Sequence, residues 1–290
     1  MNKIILGSAQ LIKSYGISNS KITTEQNFFK LLDNCVKQGI KIIDTSDSYG
    51  NAHEIIGKYK KYKFKIITKY YFKNKMNKKY YEKTIKKNLV KTKATIGYHK
   101  LHAVLIHNIH QLDKNSLRLI SNLLTQIKKK GLINKVGISI YNKEDLKKIT
   151  NFKLIDILQV PINVLDRTFA KKNFLNIIKL NNIELHGRSI FLQGLLLMNP
   201  IQIKKSIKLP NYNIFKKWHN HTKKSLENKI LTCLNFVLKI RQLDYCVVGF
   251  NSSKQLDTLM KLISKDKLYF EPNLKTQNKK IINPQNWNLI

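Results

Sequence analysis

The sequence has few cysteines and no long apolar run, and each lack excludes a class of protein. Its three cysteines, Cys35, Cys233 and Cys246, are far apart and form no C-x-x-C pair, so neither a disulfide framework nor a zinc finger is indicated. The longest nearly apolar stretch, residues 190–198, is far shorter than the roughly 20 residues that span a bilayer. The N-terminus also lacks the apolar core of a signal peptide. We therefore expect a cytoplasmic protein without a membrane segment.

Arginine is scarce in this strongly basic chain. Only four of its 54 basic residues are arginine, and the net charge is +37. The abundant lysine, isoleucine and asparagine have A/T-rich codons, so an A/T-rich genome explains the basicity without an anionic partner. The lysines also lie along the whole chain, whereas a nucleic-acid footprint clusters on one face. We expect no specific nucleic-acid partner, and a basic nucleic-acid-binding protein stays open as an alternative on charge alone.

No linker rich in proline, glycine or serine divides the 290 residues, which predicts one domain over residues 1–290. Short β-rich runs alternate with amphipathic helical stretches, such as 24–38 and 116–130, which end at Gly39 and Gly131. Eight such units favour an α/β fold of the closed (β/α)8 TIM-barrel type over a doubly wound open sheet, which usually has fewer strands. The predicted strands are 3–6, 41–43, 65–68, 101–106, 135–139, 155–160, 183–190 and 245–248.

Two segments depart from this repeat. Residues 199–224 are too long for an ordinary βα loop. On a barrel they would lie at the C-terminal face, either as a lid that contacts substrate or as a solvated excursion without a role. The tail, about residues 270–290, is expected either to wrap the barrel or to close its mouth.

Four polar residues follow three consecutive predicted strands. Asp44 follows the second strand, with Tyr49 five residues later, Lys69 follows the third strand, and His107 follows the fourth. Because the C-terminal ends of parallel barrel strands share one rim, these side chains should converge. Each alone has a plain structural explanation, such as an aspartate that caps a helix. Together, on consecutive strand ends, they indicate a candidate functional site.

The segment around these residues resembles the signature of the aldo/keto reductases, NAD(P)H-dependent oxidoreductases on a (β/α)8 barrel. It reads Asp44-Thr-Ser-x-x-Tyr49-Gly-x-x-x-Glu54-x-x-Gly57. The sequence around residues 188–196 resembles a bacterial branch met beside surface-sugar biosynthesis. Other segments similar to the family follow in order along nearly the whole chain, at 5–10, 15–17, 67–69, 105–107, 131–139 and 158–163.

The resemblance implies a carbonyl reduction in which the nicotinamide gives a hydride and the protein gives a proton. Tyr49 would donate the proton, and Lys69 would lower the Tyr49 pKa from its ordinary value of about 10. Asp44 would hold Lys69, and His107 would orient the carbonyl and donate to its oxygen. The partner would be a small aldehyde or ketone, with sugars among the candidates, and the protein would be a monomer. A cofactor-binding regulatory barrel without turnover is the alternative.

The resemblance also implies a set of cofactor contacts. Ser139 and Gln159 would hold the nicotinamide carboxamide, with Ser189 beside them. Arg188 stands where the family has a tyrosine, and its planar guanidinium would stack on the nicotinamide ring. NADP is the expected cofactor, with NAD as the alternative. The residues implied at the adenosine phosphate end are Gly249, Ser252 and Gln255.

Overall fold

The computed structural model describes residues 3–11, 23–264 and 273–289. Residues 15–17 and the start of the predicted tail, 270–272, lie outside the described residues. Within them, eight parallel strands close into a barrel in chain order, and the last strand pairs with the first. The predicted (β/α)8 barrel is confirmed. Its strands are β1 (Ile4–Gly7), β2 (Ile42–Asp44), β3 (Lys65–Tyr70), β4 (Leu101–Ile106), β5 (Ile133–Ser139), β6 (Ile157–Pro161), β7 (Glu184–Arg188) and, after a short β8 (Ile207–Lys208), β9 (Tyr245–Gly249).

Helices connect the strands and pack around the barrel. None of the helices in the described ranges is long and apolar enough to cross a membrane. The α-helices are α1 (Glu25–Lys37), α2 (Ala52–Lys58), α3 (Lys78–Ile96), α4 (Lys114–Lys129), α5 (Lys143–Leu146), α6 (Lys172–Leu180), α7 (Pro200–Ser206), α8 (Asn213–His221), α9 (Leu226–Leu238), α10 (Ser253–Ser264) and α11 (Lys279–Ile282).

The predicted helices 24–38 and 116–130 correspond to α1 and α4 within two residues. Each begins at a capping side chain that accepts the backbone N–H three residues later, from Thr24 at 3.3 Å and from Asp113 at 2.7 Å. Each is followed by a glycine with positive φ, Gly39 at 73° and Gly131 at 75°. Glycine adopts this left-handed conformation without steric cost. Local sequence signals therefore set both helix ends.

The interior of the barrel contains a small apolar cluster below the C-terminal rim. Successive side chains of a strand alternate between the two faces. A residue two positions beyond a member of this cluster therefore also points inward, one layer nearer the rim. The apolar cluster consists of Ile5, Ile42, Ile67, Ala103, Leu105 and Ile157. The residues that follow a member of this cluster by two positions include Asp44, Lys69, His107 and Gln159.

The two segments that depart from the repeat pair with each other. Residues 199–224 contain α7, β8 and α8, and β8 pairs antiparallel with β10 (Asn288–Leu289) at the end of the tail. The backbone N–H of Thr276 donates to the Leu165 carbonyl at 2.9 Å. This bond attaches the tail to the loop that follows β6, so the tail crosses the C-terminal mouth of the barrel.

Candidate active site

A cavity of about 980 Å³ opens at the C-terminal ends of the strands. Tyr49, Lys69 and His107 line this cavity, and Asp44 is bonded to Lys69. The structure therefore brings the four predicted catalytic residues together.

A buried ion pair forms part of the cavity wall. Asp44 and Lys69 are 3% and 1% exposed. The Lys69 ammonium donates to one carboxylate oxygen of Asp44 and, at 3.0 Å, to the Thr45 carbonyl. The other Asp44 oxygen accepts a hydrogen bond from the Gln159 amide at 2.8 Å. Both charges are compensated, as buried charges must be if they are not to destabilise the fold strongly.

Tyr49 lies beside this pair and keeps its phenolic proton. Its ring centre is 5.2 Å from the Lys69 ammonium nitrogen. Burial raises the pKa of Tyr49, and the negative charge of Asp44 raises it further. The net direction is upward, so burial and the Asp44 charge outweigh the lowering of the Tyr49 pKa that was expected from Lys69.

His107 is a neutral imidazole in contact with aromatic rings. Burial lowers the pKa of His107 to about 2, and the charges of Lys69 and Arg188 act in the same direction. Its ring centre is 4.6 Å from that of Tyr71 and 6.1 Å from that of Tyr49. A neutral imidazole has one N–H donor, so His107 can give one hydrogen bond without carrying a charge.

Four of the predicted cofactor contacts line the same cavity: Ser139, Gln159, Arg188 and Ser189. The Arg188 guanidinium donates to the Ile140 carbonyl at 3.1 Å and lies over the Tyr141 ring, 4.3 Å from its centre. The Ser139 hydroxyl is buried and has no hydrogen-bond partner among the described residues. A buried polar group is normally paired, so this hydroxyl is available to a ligand.

The remaining predicted cofactor contacts, Gly249, Ser252 and Gln255, do not line this cavity. The Gln10 side chain covers Gly249, where an added β-carbon would lie 1.7 Å from the Gln10 amide nitrogen. The Ser252 hydroxyl accepts the N–H of Gln255 at 3.3 Å, and the Gln255 side chain accepts the N–H of Asn251 at 2.8 Å. Ser252 and Gln255 therefore cap the N-terminus of α10.

Sequence reasoning missed part of the cavity wall. Tyr71 and Tyr141 follow Lys69 and Ser139 by two residues, so the alternation along a strand could have identified them. For the tail, the sequence left two positions open, around the barrel or across its mouth, because the choice depends on how the end of the chain returns to the barrel. No described residue of 199–224 lines the cavity. The tail residues that do are Lys275, Thr276, Gln277, Lys279, Ile282, Asn283, Pro284 and Gln285.

The residues of the cavity fit a nicotinamide dinucleotide. Its volume lies near the upper end of the roughly 300–1,000 Å³ of small-molecule sites. Ser139 offers an unpaired buried hydroxyl, and the stacked Arg188 and Tyr141 offer flat groups for a ring. Across residues 3–11, 23–264 and 273–289, no cluster of three or more histidine, cysteine, aspartate or glutamate side chains could hold a metal ion.

Comparison with known proteins identifies the family and supports the fold. The model of the aldo/keto reductase family matches residues 3–269. The holo form of aldo-keto reductase AKR11C1 from Bacillus halodurans is similar, with 18% identity, 92% of this chain and 88% of that chain covered, and a TM-score of 0.72. Glycerol dehydrogenase AKR11B4 from Gluconobacter oxydans is 16% identical over 92% of this chain and 88% of that chain, with a TM-score of 0.68. At such identities these structures establish the fold alone. No curated protein matches the sequence.

Proposed function

The chain belongs to the aldo/keto reductase family, and from that premise we propose that it reduces an aldehyde or ketone to an alcohol with NADPH as the hydride donor. The observation that carries the proposal is the convergence of Tyr49, Lys69 and His107 on one cavity wall, with Asp44 bonded to Lys69. The substrate is a small carbonyl compound, and sugars are among the candidates.

A nicotinamide dinucleotide, when bound, supplies the hydride. On the protein side, Ser139 and Gln159 would hold the nicotinamide carboxamide, and Arg188 would contact the ring. Tyr49 gives its phenolic proton to the substrate oxygen as negative charge develops there. Burial keeps that proton on Tyr49 at neutral pH, and an alkoxide is a strong enough base to accept it.

The other residues prepare this proton transfer. His107 donates its N–H to the carbonyl oxygen and polarises it, and a preorganised donor of this kind stabilises the developing charge. Because the pKa of His107 is about 2, the imidazole is neutral and does not compete with Tyr49 as an acid. Lys69, held by Asp44, places a positive charge 5.2 Å from the Tyr49 ring, which stabilises the phenolate left after the proton has moved.

For the adenosine phosphate end of the cofactor, we propose the segment at Gly249 and the start of α10. The N–H groups at a helix N-terminus favour bound phosphate. Ser252 and Gln255 hold this helix start in shape through their capping bonds. The preference for NADP over NAD is part of the proposal and rests on the cofactor that is usual in this family.

The experiment is a titration of the protein with NADPH and NADH, followed by oxidation of the bound cofactor with a panel of aldehydes and ketones. Tight binding of NADPH with turnover that Tyr49→Phe abolishes would support the reductase. Cofactor binding without turnover on any panel member would favour a regulatory barrel. If neither cofactor binds, the proposal fails.

A further inference from the structure

Ser46 is a buried residue that the mechanism above does not use. It follows the end of β2 by two residues and is 1% exposed. Its hydroxyl oxygen lies 3.2 Å from Nδ1 of His107. No other side chain of the described residues hydrogen-bonds that nitrogen, so Ser46 is its single partner within the part of the chain that the structure describes.

The role of His107 depends on which ring nitrogen carries the proton. With the proton on Nε2 and a lone pair on Nδ1, the ring can donate from Nε2 to a carbonyl oxygen. With the proton on Nδ1, Nε2 presents a lone pair and repels that oxygen. The hydrogen bond made by one ring nitrogen decides the state of the other, so Ser46 controls this choice.

The surroundings of the Ser46 hydroxyl make it a donor toward His107. A hydroxyl has one proton to donate and two lone pairs that accept. The backbone N–H of Ser48 donates to the Ser46 oxygen at 3.3 Å, and the Ser48 hydroxyl lies 2.9 Å from it. When Ser48 fills both lone pairs, Ser46 has only its proton left to offer.

Two other acceptors lie near that proton, and each has another donor. The Lys69 carbonyl, 3.2 Å away, already accepts the backbone N–H of Asp47. The Asp47 carboxylate, 3.3 Å away, also accepts backbone N–H groups. Nδ1 of His107 is buried and has no other hydrogen-bond partner among the described residues, and an unpaired buried group is costly. The Ser46 proton therefore goes to His107.

We propose that Ser46 is a positioning residue that holds His107 as the Nε2–H tautomer and so directs a donor at the substrate carbonyl. The benefit to catalysis rests on the proposed function. The tautomer itself is a property of the protein alone, so the two can be tested separately.

The test is ¹⁵N NMR of the histidine-labelled full chain, with the His107 signals assigned by their loss in His107→Gln. We expect a protonated Nε2 and a bare Nδ1 in the unchanged protein. Ser46→Ala shifts His107 toward the Nδ1–H tautomer, whereas Ser46→Thr, which keeps the hydroxyl, preserves the original state. A protonated Nδ1 in the unchanged protein, or identical His107 signals in Ser46→Ala, would overturn the proposal.

Kinetics supply the second readout. We expect Ser46→Ala to lower kcat about tenfold with unchanged cofactor affinity, since loss of a whole donor costs roughly 100-fold or more. The control is Ser121→Ala, which changes a buried serine of α4 and is expected to leave kcat unchanged. If the unchanged protein turns over and Ser46→Ala retains full kcat, the role of Ser46 is wrong while the reductase stands. If no variant binds cofactor, the reductase is wrong, and the NMR spectrum still decides the tautomer.

Discussion

The Lys69 ammonium is ion-paired with Asp44 while it lies over the ring of Tyr49, 5.2 Å from its centre. One lysine thus belongs both to a buried salt bridge and to the surroundings of the proposed proton donor. Removing Asp44 is expected to affect stability first, whereas removing the Tyr49 hydroxyl is expected to affect only the reaction. Variants at Tyr49 and at Asp44 separate these effects.

Tyr49→Phe is expected to lower kcat by about 10²- to 10⁴-fold, the usual contribution of a positioned acid or base. The hydroxyl of Tyr49 carries no structural ion pair, so the midpoint of thermal unfolding and the affinity for NADPH should stay unchanged. Steady-state kinetics, cofactor titration and thermal unfolding check the three expectations. A loss of cofactor affinity as large as the loss of kcat would contradict the proposed role of Tyr49.

Asp44→Asn is expected to lower the free energy of unfolding by about 3–5 kcal/mol, because it leaves the Lys69 charge buried without a counter-ion. Adding Lys69→Met should restore part of that loss. The matched control is Glu25→Gln, which breaks the exposed pair with Lys58 and should cost less than about 1 kcal/mol. Urea unfolding measures all of these variants, and equal losses at the buried and exposed pairs would count against this account.

Ser139→Ala is expected to weaken NADPH binding by about two- to tenfold, the value of one net hydrogen bond. It should leave the stability of the protein without cofactor unchanged, since the Ser139 hydroxyl has no partner among the described residues. Thr45→Val removes another unpaired buried hydroxyl that does not line the cavity and should not change cofactor affinity. Cofactor titrations of both variants test this, and the same weakening in both would refute a specific role for Ser139.

Glu184 lies at the end of the barrel opposite the cavity. It makes the stability of the barrel depend on pH. Burial alone would raise the pKa of Glu184, but hydrogen bonds from His186 and Lys135 outweigh it and lower the pKa to about 2. Because this lies below the ordinary 4.5, the stabilisation is complete above about pH 4.5 and is lost as the pH falls toward 2.

We therefore expect Glu184→Gln to flatten the decline of the free energy of unfolding between pH 4.5 and 2. The exposed pair of Glu82 with Lys78 supplies the control, because Glu82→Gln should leave that decline in place. Urea unfolding across this pH range provides the measurement. An unchanged decline in Glu184→Gln would show that other carboxylates cause it.

The sequence predicted the barrel and the four converging residues because both follow from local patterns. Alternation along each strand places Asp44 and Lys69 two residues beyond the apolar interior, and parallel strands bring their ends to one rim. The same rule, applied one step further, would have added Tyr71 and Tyr141. Ser46 could not be related to His107 from sequence, because the two are 61 residues apart and meet only at the rim of the barrel, beyond strands β2 and β4, which β3 separates.

The sequence by itself thus determined how many strands the barrel has and which four predicted residues converge at its rim, since these depend on short-range periodicity and on helix-capping residues. The tertiary structure alone decided the protonation of the site and the identity of its cover. The pKa of Tyr49 is raised because folding buries the phenol and brings Asp44 near it. The tail, and not residues 199–224, lines the cavity, because the described end of the chain returns across the mouth and pairs with β8.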